Sequence, residues 1–277
     1  MRIERHTDPV AYQALVTPLF LADEARYNLL LALVARVAGG ETFGDEPPVL
    51  LSLHDGDDLA GAAVMTPPHN VLLDGVPVAV APLVADHLVD EGVLPPGALG
   101  SVDVVTAYAA RDAERTGSTA RVTREQGIYA LRELVPPRLA NGTPRLATEA
   151  DADVVTAWDH AFVTEVGIPQ RHAGRLHHRI AEGLIWLWDD GGPVSLAGCA
   201  GMTPNGARIG PVYTPPELRG RGYASAVTAG ATQALLDAGR TYCFLYTDLA
   251  NPTSNKIYRA LGYEHVTDVR EVAFDRR

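Results

Sequence analysis

Cysteine is scarce: Cys199 and Cys243 are the two in 277 residues. Both sit in apolar, strand-like runs and read as small core residues. No metal-ligand spacing involves them, so neither a disulfide framework nor a metal site is expected. Positive charge is also short. Lys and Arg number 23 against 34 Asp and Glu, for a net charge of −11. The basic residues are scattered, which argues against a nucleic-acid partner and favours neutral or cationic partners. Long hydrophobic runs are missing. The longest, Leu29 to Ala38, is broken by Arg36 and is too short to span a bilayer. No secretory signal is visible. The expectation is a cytoplasmic protein that engages no membrane.

Apolar residues make up 47% of the chain, enough for sizeable cores, and the length suits two domains. A turn-rich stretch, Pro136-Pro137 and then Asn141-Gly142-Thr143-Pro144, is the natural boundary. It divides the chain into 1–140 and 143–277.

In the first part, Asp23 to Gly39 carries Leu29, Leu30, Leu33 and Val37 at helical spacing. Pro48–His54 and Leu59–Met65 read as a hairpin around Asp55-Gly56-Asp57. Val71 to Val80 reads as a strand or strand pair turning at Asp74-Gly75, and Pro82 to Glu91 as a helix. Ser118 to Glu133 mixes a strand with a short helix. His54, His69 and His87 are too dispersed to form a site.

In the second part, Arg145–Ala147 fits a strand. Thr148 and Asp151 have capping-box spacing before a helix with Val154, Val155, Trp158, Ala161 and Phe162 on one side. Gly167 to Pro169 ends it. Arg171 to Gly183 reads as a second helix with Leu176 and Ile180 paired. Leu184–Trp188 and Pro193–Met202 form a hairpin. Ala207–Tyr213 is a third strand, irregular at Gly210-Pro211 because proline cannot donate to a ladder.

That strand feeds Tyr213-Thr214-Pro215-Pro216-Glu217-Leu218-Arg219-Gly220-Arg221-Gly222-Tyr223-Ala224. A helix follows to Ala238, stopped by Gly239, and then an apolar strand from Tyr242 to Thr247. A glycine turn at a helix N-terminus binds anions, because free N–H groups and the helix dipole point at whatever docks there. The turn lacks the Lys-Ser/Thr of a P-loop and the third glycine of a Rossmann turn.

Arg219, Gly222 and Ala224 fill the pattern Arg/Gln-x-x-Gly-x-Gly/Ala. Downstream, Asn251, Asn255 and Tyr258 share one helix face at i, i+4 and i+7, ahead of Leu261-Gly262-Tyr263. Together these resemble two signatures of the GNAT N-acetyltransferases. The resemblance covers 143–277 well and 1–140 in outline. It implies an α/β fold with a mixed α+β sheet, and two GNAT-like domains in tandem. The first has no counterpart of the glycine turn and is read as a degenerate copy, with an unrelated α/β domain as the rival.

The resemblance implies acetyl-CoA as cofactor. Arg219, Gly220, Arg221, Gly222, Tyr223 and Ala224 would hold the pyrophosphate. The main chain of Val212, Tyr213 and Thr214 would bind the pantetheine arm beside a splayed strand, and Asn251, Ser254 and Asn255 would add contacts. Tyr258 is the expected general acid. The carboxylate that many members carry on the strand before the turn is missing, so Asp248, or Glu165, would act through a water, or the amine arrives deprotonated. Trp158, Asp159, Phe162 and Glu165 are candidate acceptor contacts. The acceptor is an amine of a small molecule or peptide, and homodimerisation stays open. A non-catalytic acyl-CoA sensor or scaffold is the alternative.

Overall fold

The computed structural model describes residues 1–138, 140–167 and 173–276. Pro169 and Arg171, named above at helix boundaries, lie outside the described residues.

One element order is written twice. The first pass runs β1 (Arg2–His6), α1 (Pro9–Leu21), α2 (Asn28–Ala38), β2 (Val49–Asp55), β3 (Asp58–Met65), β4 (Val71–Leu72), α3 (Ala81–Asp90), β5 (Gly97–Ser101), α4 (Val102–Thr116) and β6 (Thr119–Leu131). The second runs β7 (Thr143–Leu146), α5 (Ala152–Val166), α6 (Ala173–Ala181), β8 (Ile185–Asp189), β9 (Pro193–Met202), β10 (Gly206–Tyr213), α7 (Tyr223–Asp237), β11 (Tyr242–Asp248), α8 (Pro252–Ala260) and β12 (Glu264–Asp275). Short 3-10 turns precede α3, α5 and α7.

Two compact units result, and they interleave in sequence. The first holds 1–128, 247–250 and 265–277, and the second holds 129–246 and 251–264. A single cut at 140–143 therefore does not describe them. The C-terminal strand β12 pairs antiparallel with β5, Val269 opposite Ser101 and Val272 opposite Ala98. It completes the first unit's sheet, whose order is β1-β2-β3-β4-β5-β12-β6.

Each sheet is covered on both faces, which is why its strands read as near-continuous apolar runs. On β2, Leu51 and Leu53 join the cluster under α3 and α4, while Leu50 joins the one under α1 and α2. On β8, Trp186 and Trp188 face the cluster with α7 and Tyr258, while Ile185 and Leu187 face α5 and α6. Alternation of side chains along a strand makes this division.

Several first-half expectations are corrected. The helix expected from Asp23 begins at Asn28, and α1 precedes it. Val71–Val80 gives only a two-residue strand and then a 3-10 turn, because the 73–76 backbone packs against β3 and β5 instead of turning a hairpin. Ser118–Glu133 contains no helix and is one long strand, β6. In the second half the elements lie within a residue or two of expectation. The Thr148–Asp151 capping box is formed, with Arg145 donating twice to Asp151 at 2.8 Å. No described helix is long and apolar enough to cross a membrane.

Candidate functional site

The site begins where a ladder stops. β10 runs parallel to β11 from Gly206 opposite Tyr242 to Arg208 opposite Phe244, and no further pair follows. On its other side β10 pairs with β9, but the register slips between Ile209 and Val212, across Gly210-Pro211. Pro211 has no N–H to give, and Gly210 takes φ +148°, open to glycine alone. The bulge is fixed by Arg179 of α6, whose Nη2 donates to the carbonyls of Cys199 at 2.7 Å and Gly210 at 3.2 Å. A Cβ on Gly198 would lie 2.3 Å from that nitrogen. Sequence reasoning missed Arg179, because nothing local marks an arginine that reaches two strands.

Past the bulge the chain is tied down from below. Ser195 of β9, fully buried, donates to the Tyr213 carbonyl at 2.9 Å and pairs with the Thr214 hydroxyl at 2.8 Å. Ser195 also escaped the sequence reading. Arg219 Nε donates to the Thr214 carbonyl at 2.9 Å, and its Nη2 to Glu165 of α5 at 2.6 Å. The guanidinium lies 5.8 Å from the Tyr213 ring. So the side chain of Arg219, one of the residues expected at the pyrophosphate, braces the turn against α5. Glu165, a candidate base or acceptor contact, is its ion-pair partner.

The turn itself is open. Gly220 and Gly222 take φ +78° and +85°, and both are exposed. Nothing stands within 4 Å of where a Cβ on Gly220 would be. Gly222 caps α7 with no side-chain acceptor, leaving the first-turn N–H groups to an outside partner. Tyr223 buries its ring and donates to Asp190 at 2.5 Å, with the Arg221 side chain beside its hydroxyl. Asp190 raises the Tyr223 pKa, as does partial burial. Ala224 is half-buried in the first turn of α7, and Arg221 reaches the Glu217 carbonyl at 3.3 Å.

Tyr258 lies in the same apolar cluster as Ile209, Val212, Leu218 and Tyr223. Its ring meets Tyr263 edge-on at 6.1 Å, and Tyr263 bonds Thr232 of α7 at 2.7 Å. Burial pushes the Tyr258 hydroxyl up to about 12, and a hydrogen bond with the Ser254 side chain works the other way. Asn251 spends its Oδ1 on its own helix, accepting from Ser254 N at 3.0 Å, and Asn255 N donates to the Asn251 carbonyl.

Asp248 is exposed and accepts from Ala250 N at 2.7 Å, which is a turn-capping role. It belongs to the first compact unit. Trp158 lies 6.3 Å from Tyr213, and with Phe162 it packs on the α5–α6 core; Asp159 is buried. Among the described residues no cluster of His, Cys, Asp or Glu could hold a metal.

Residues 191–272 match the model of the family described as FR47-like protein. Solved structures match along the whole chain. A GNAT-family acetyltransferase from Colwellia psychrerythraea is 15% identical with a TM-score of 0.58, covering 100% of both chains. A GCN5-related N-acetyltransferase from Sphaerobacter thermophilus is 18% identical with a TM-score of 0.64, covering 99% of this chain and 95% of that one. The chain has the GNAT fold. A tandem GNAT protein from the clavulanic acid biosynthesis pathway, 11% identical with a TM-score of 0.58, covers 99% of this chain and 98% of its own. No curated protein matches the sequence.

Proposed function

We propose that the second unit binds acetyl-CoA and transfers its acetyl group to an amine. One observation carries this reading: a parallel ladder that stops after Arg208, then a bulge, then a turn with two left-handed, exposed glycines at an uncapped helix start. The main-chain N–H groups of 220–224 fit a pyrophosphate, since the Arg219 N–H is spent on the Pro216 carbonyl and the space a Cβ would fill at Gly220 is empty. Val212, Tyr213 and Thr214 offer main chain beside the open ladder. Acetyl-CoA, when bound, supplies an activated acyl carbon and a thiolate leaving group.

Tyr258 holds the proton that such a thiolate needs. With its pKa pushed up to about 12 by burial, the phenol is protonated at neutral pH. A free thiol titrates near ~8.5, so a tyrosine of this kind serves as acid and never as resting base. Arg219 and Glu165 hold the turn in place from outside. Asp248, exposed and capping a turn, suits a base working through water less well than an amine that arrives deprotonated.

The test is release of free thiol from acetyl-CoA across a panel of small amines, amino acids, aminoglycosides and peptides. Thiol release with at least one amine, lost in Tyr258→Phe, supports the enzyme. Tight acetyl-CoA binding with no turnover of any amine moves the reading to an acyl-CoA sensor.

A further inference from the structure

The last side chain before the opened ladder is an arginine. Arg208 stands opposite Phe244, and no pair of β10 with β11 follows. Its neighbours Ala207 and Ile209 are buried in the cluster that holds Tyr258. Side chains alternate along a strand, so Arg208 leaves from the other face of the sheet. Its guanidinium lies 5.6 Å from the ring centre of Tyr246, two residues beyond Phe244 on β11. The charge therefore lies beside the stretch of β11 that β10 has left. Arg208 and Tyr246 are both half-buried. All of these residues belong to the second unit.

Positive charge gathers on this stretch. Arg208 Nη2 donates to the Ala200 carbonyl at 3.4 Å, and Arg240 Nη1 to the Thr203 carbonyl at 3.5 Å. With Arg179 on the Cys199 carbonyl, three arginines line residues 199–203. These carbonyl bonds fix where the guanidinium groups lie. The buried Cys199 thiol registers them: burial raises its pKa, while a backbone bond at Gly201 and the charges of Arg179, Arg208 and Arg240 lower it. The whole chain carries a net −11, so this edge runs against the general charge. Strand β10, Gly206 to Tyr213, contains Arg208 and neither Asp nor Glu.

A guanidinium at the opening holds off an ammonium and draws in a carboxylate, whose two oxygens its planar fork matches. We propose that the acceptor is an amino acid, an amine bearing a carboxylate, with that carboxylate on Arg208 and the amine directed to the opening. A simple amine has nothing for Arg208 to hold. Arg208 sets specificity and moves no proton. In the transfer the neutral amine forms the C–N bond as the C–S bond breaks. Its nitrogen gives one proton to solvent, and Tyr258 gives one to the thiolate and recovers it from solvent. The inference rests on the acetyl-transfer reading and narrows its acceptor.

The experiment is calorimetric titration of the full chain saturated with coenzyme A, which has no acetyl group to give. The probes are matched pairs, alanine with ethylamine, phenylalanine with phenethylamine and lysine with cadaverine, each to about 10 mM. The expected result is saturation by at least one amino acid, with its decarboxylated partner at least ~10-fold weaker. Arg208→Gln should bring the pair within about 3-fold, and Arg208→Lys, which keeps the charge without the fork, should keep part of the difference. Thiol release from acetyl-CoA should show the same preference, carried by KM. Circular dichroism checks that each variant folds, and the matched pairs on wild type decide the matter if neither does. Equal binding within every pair, no saturation by any amino acid, or the full preference kept by folded Arg208→Gln overturns the proposal. Coenzyme A binding without a carboxylate preference overturns it alone, whereas no coenzyme A binding overturns the acetyl-transfer reading with it.

Discussion

The two halves follow one plan and part at one junction. In the second, β10 hands over to α7 through Gly220 and Gly222, both left-handed and open to solvent. In the first, β4 hands over to α3 through a packed segment with no left-handed glycine. Both joints spend amides in a 3-10 turn, but in the second, where Leu218 and Arg219 donate to the Pro215 and Pro216 carbonyls, the turn ends before Gly220, while in the first Val80 and Ala81 donate to the Pro77 carbonyl at the very start of α3. Pro82 then removes a further donor from the helix start. The same topology thus yields an open glycine turn in one half and a filled joint in the other. What decides is where the backbone donors are spent.

A second pair of positions sharpens the contrast. Tyr258 is the seventh residue of α8, and Tyr108 the seventh of α4. Both are buried. The Tyr108 hydroxyl has no hydrogen-bond partner, and burial first, then Asp112, raises its pKa. Tyr258→Phe should lower kcat by about 10²–10⁴-fold with little change in acetyl-CoA affinity. Tyr108→Phe should leave turnover unchanged and hold or raise stability, by up to about 1 kcal/mol, since it deletes an orphaned hydroxyl. Equal kinetic losses in the two variants would erase the distinction. The Tyr258 pKa also predicts no loss of the acid's proton as pH rises from 6 to about 10, which a pH–rate profile reads directly.

Glycine gives the next contrast. Gly75→Ala forces a methyl against Ala62 O and the Phe20 ring, and should cost about 1–3 kcal/mol in denaturant unfolding without touching acetyl-CoA binding. Gly220→Ala meets no neighbouring atom, but left-handed backbone costs an L-residue about 1–2 kcal/mol, and the methyl enters the cradle. Its main effect should be on binding.

A smaller effect is expected at the second unit's entry. Arg145, ahead of the Thr148 capping box, holds the Asp151 carboxyl far below the usual range, more than burial raises it. Asp151→Asn should cost about 1 kcal/mol after allowance for partial exposure. Because the folded pKa is depressed, the contribution is complete above about pH 4 and fades as pH falls toward the folded value. The variant and wild type should therefore converge in stability in strong acid. Least of all, Glu165→Gln frees an exposed ion pair and should change stability by less than about 1 kcal/mol.

Much of the second half was legible because its local signals agree with one another. Pro252 after Asn251, Gly239 after an alanine-rich helix, and the Asp189–Gly192 turn each speak for the element the chain forms. The first half was harder for physical reasons. Helix α1 is apolar on every side and contains Pro18, so no helical stripe stands out. The 73–76 segment looks like a strand because its residues are buried, yet its amides serve a turn and a neighbouring strand. Within the site, the glycines and Tyr258 showed through spacing. Arg179 and Ser195 did not, because their roles exist only across strands. Arg219 was visible, but its side chain's allegiance to Glu165 was not, since the two lie 54 residues apart. Nor could local pattern assign β12 to the first unit's sheet, where only register decides.

The central claim is that the 219–224 turn holds acetyl-CoA, and calorimetric titration with acetyl-CoA tests it most directly. Wild type and Gly222→Val should be compared, because valine cannot adopt φ +85° without strain. The account predicts one-site saturation by wild type. It predicts at least ~100-fold weakening in the variant, the loss of about two charge-assisted bonds. No saturable binding by wild type, or equal affinity in a folded Gly222→Val, would contradict it.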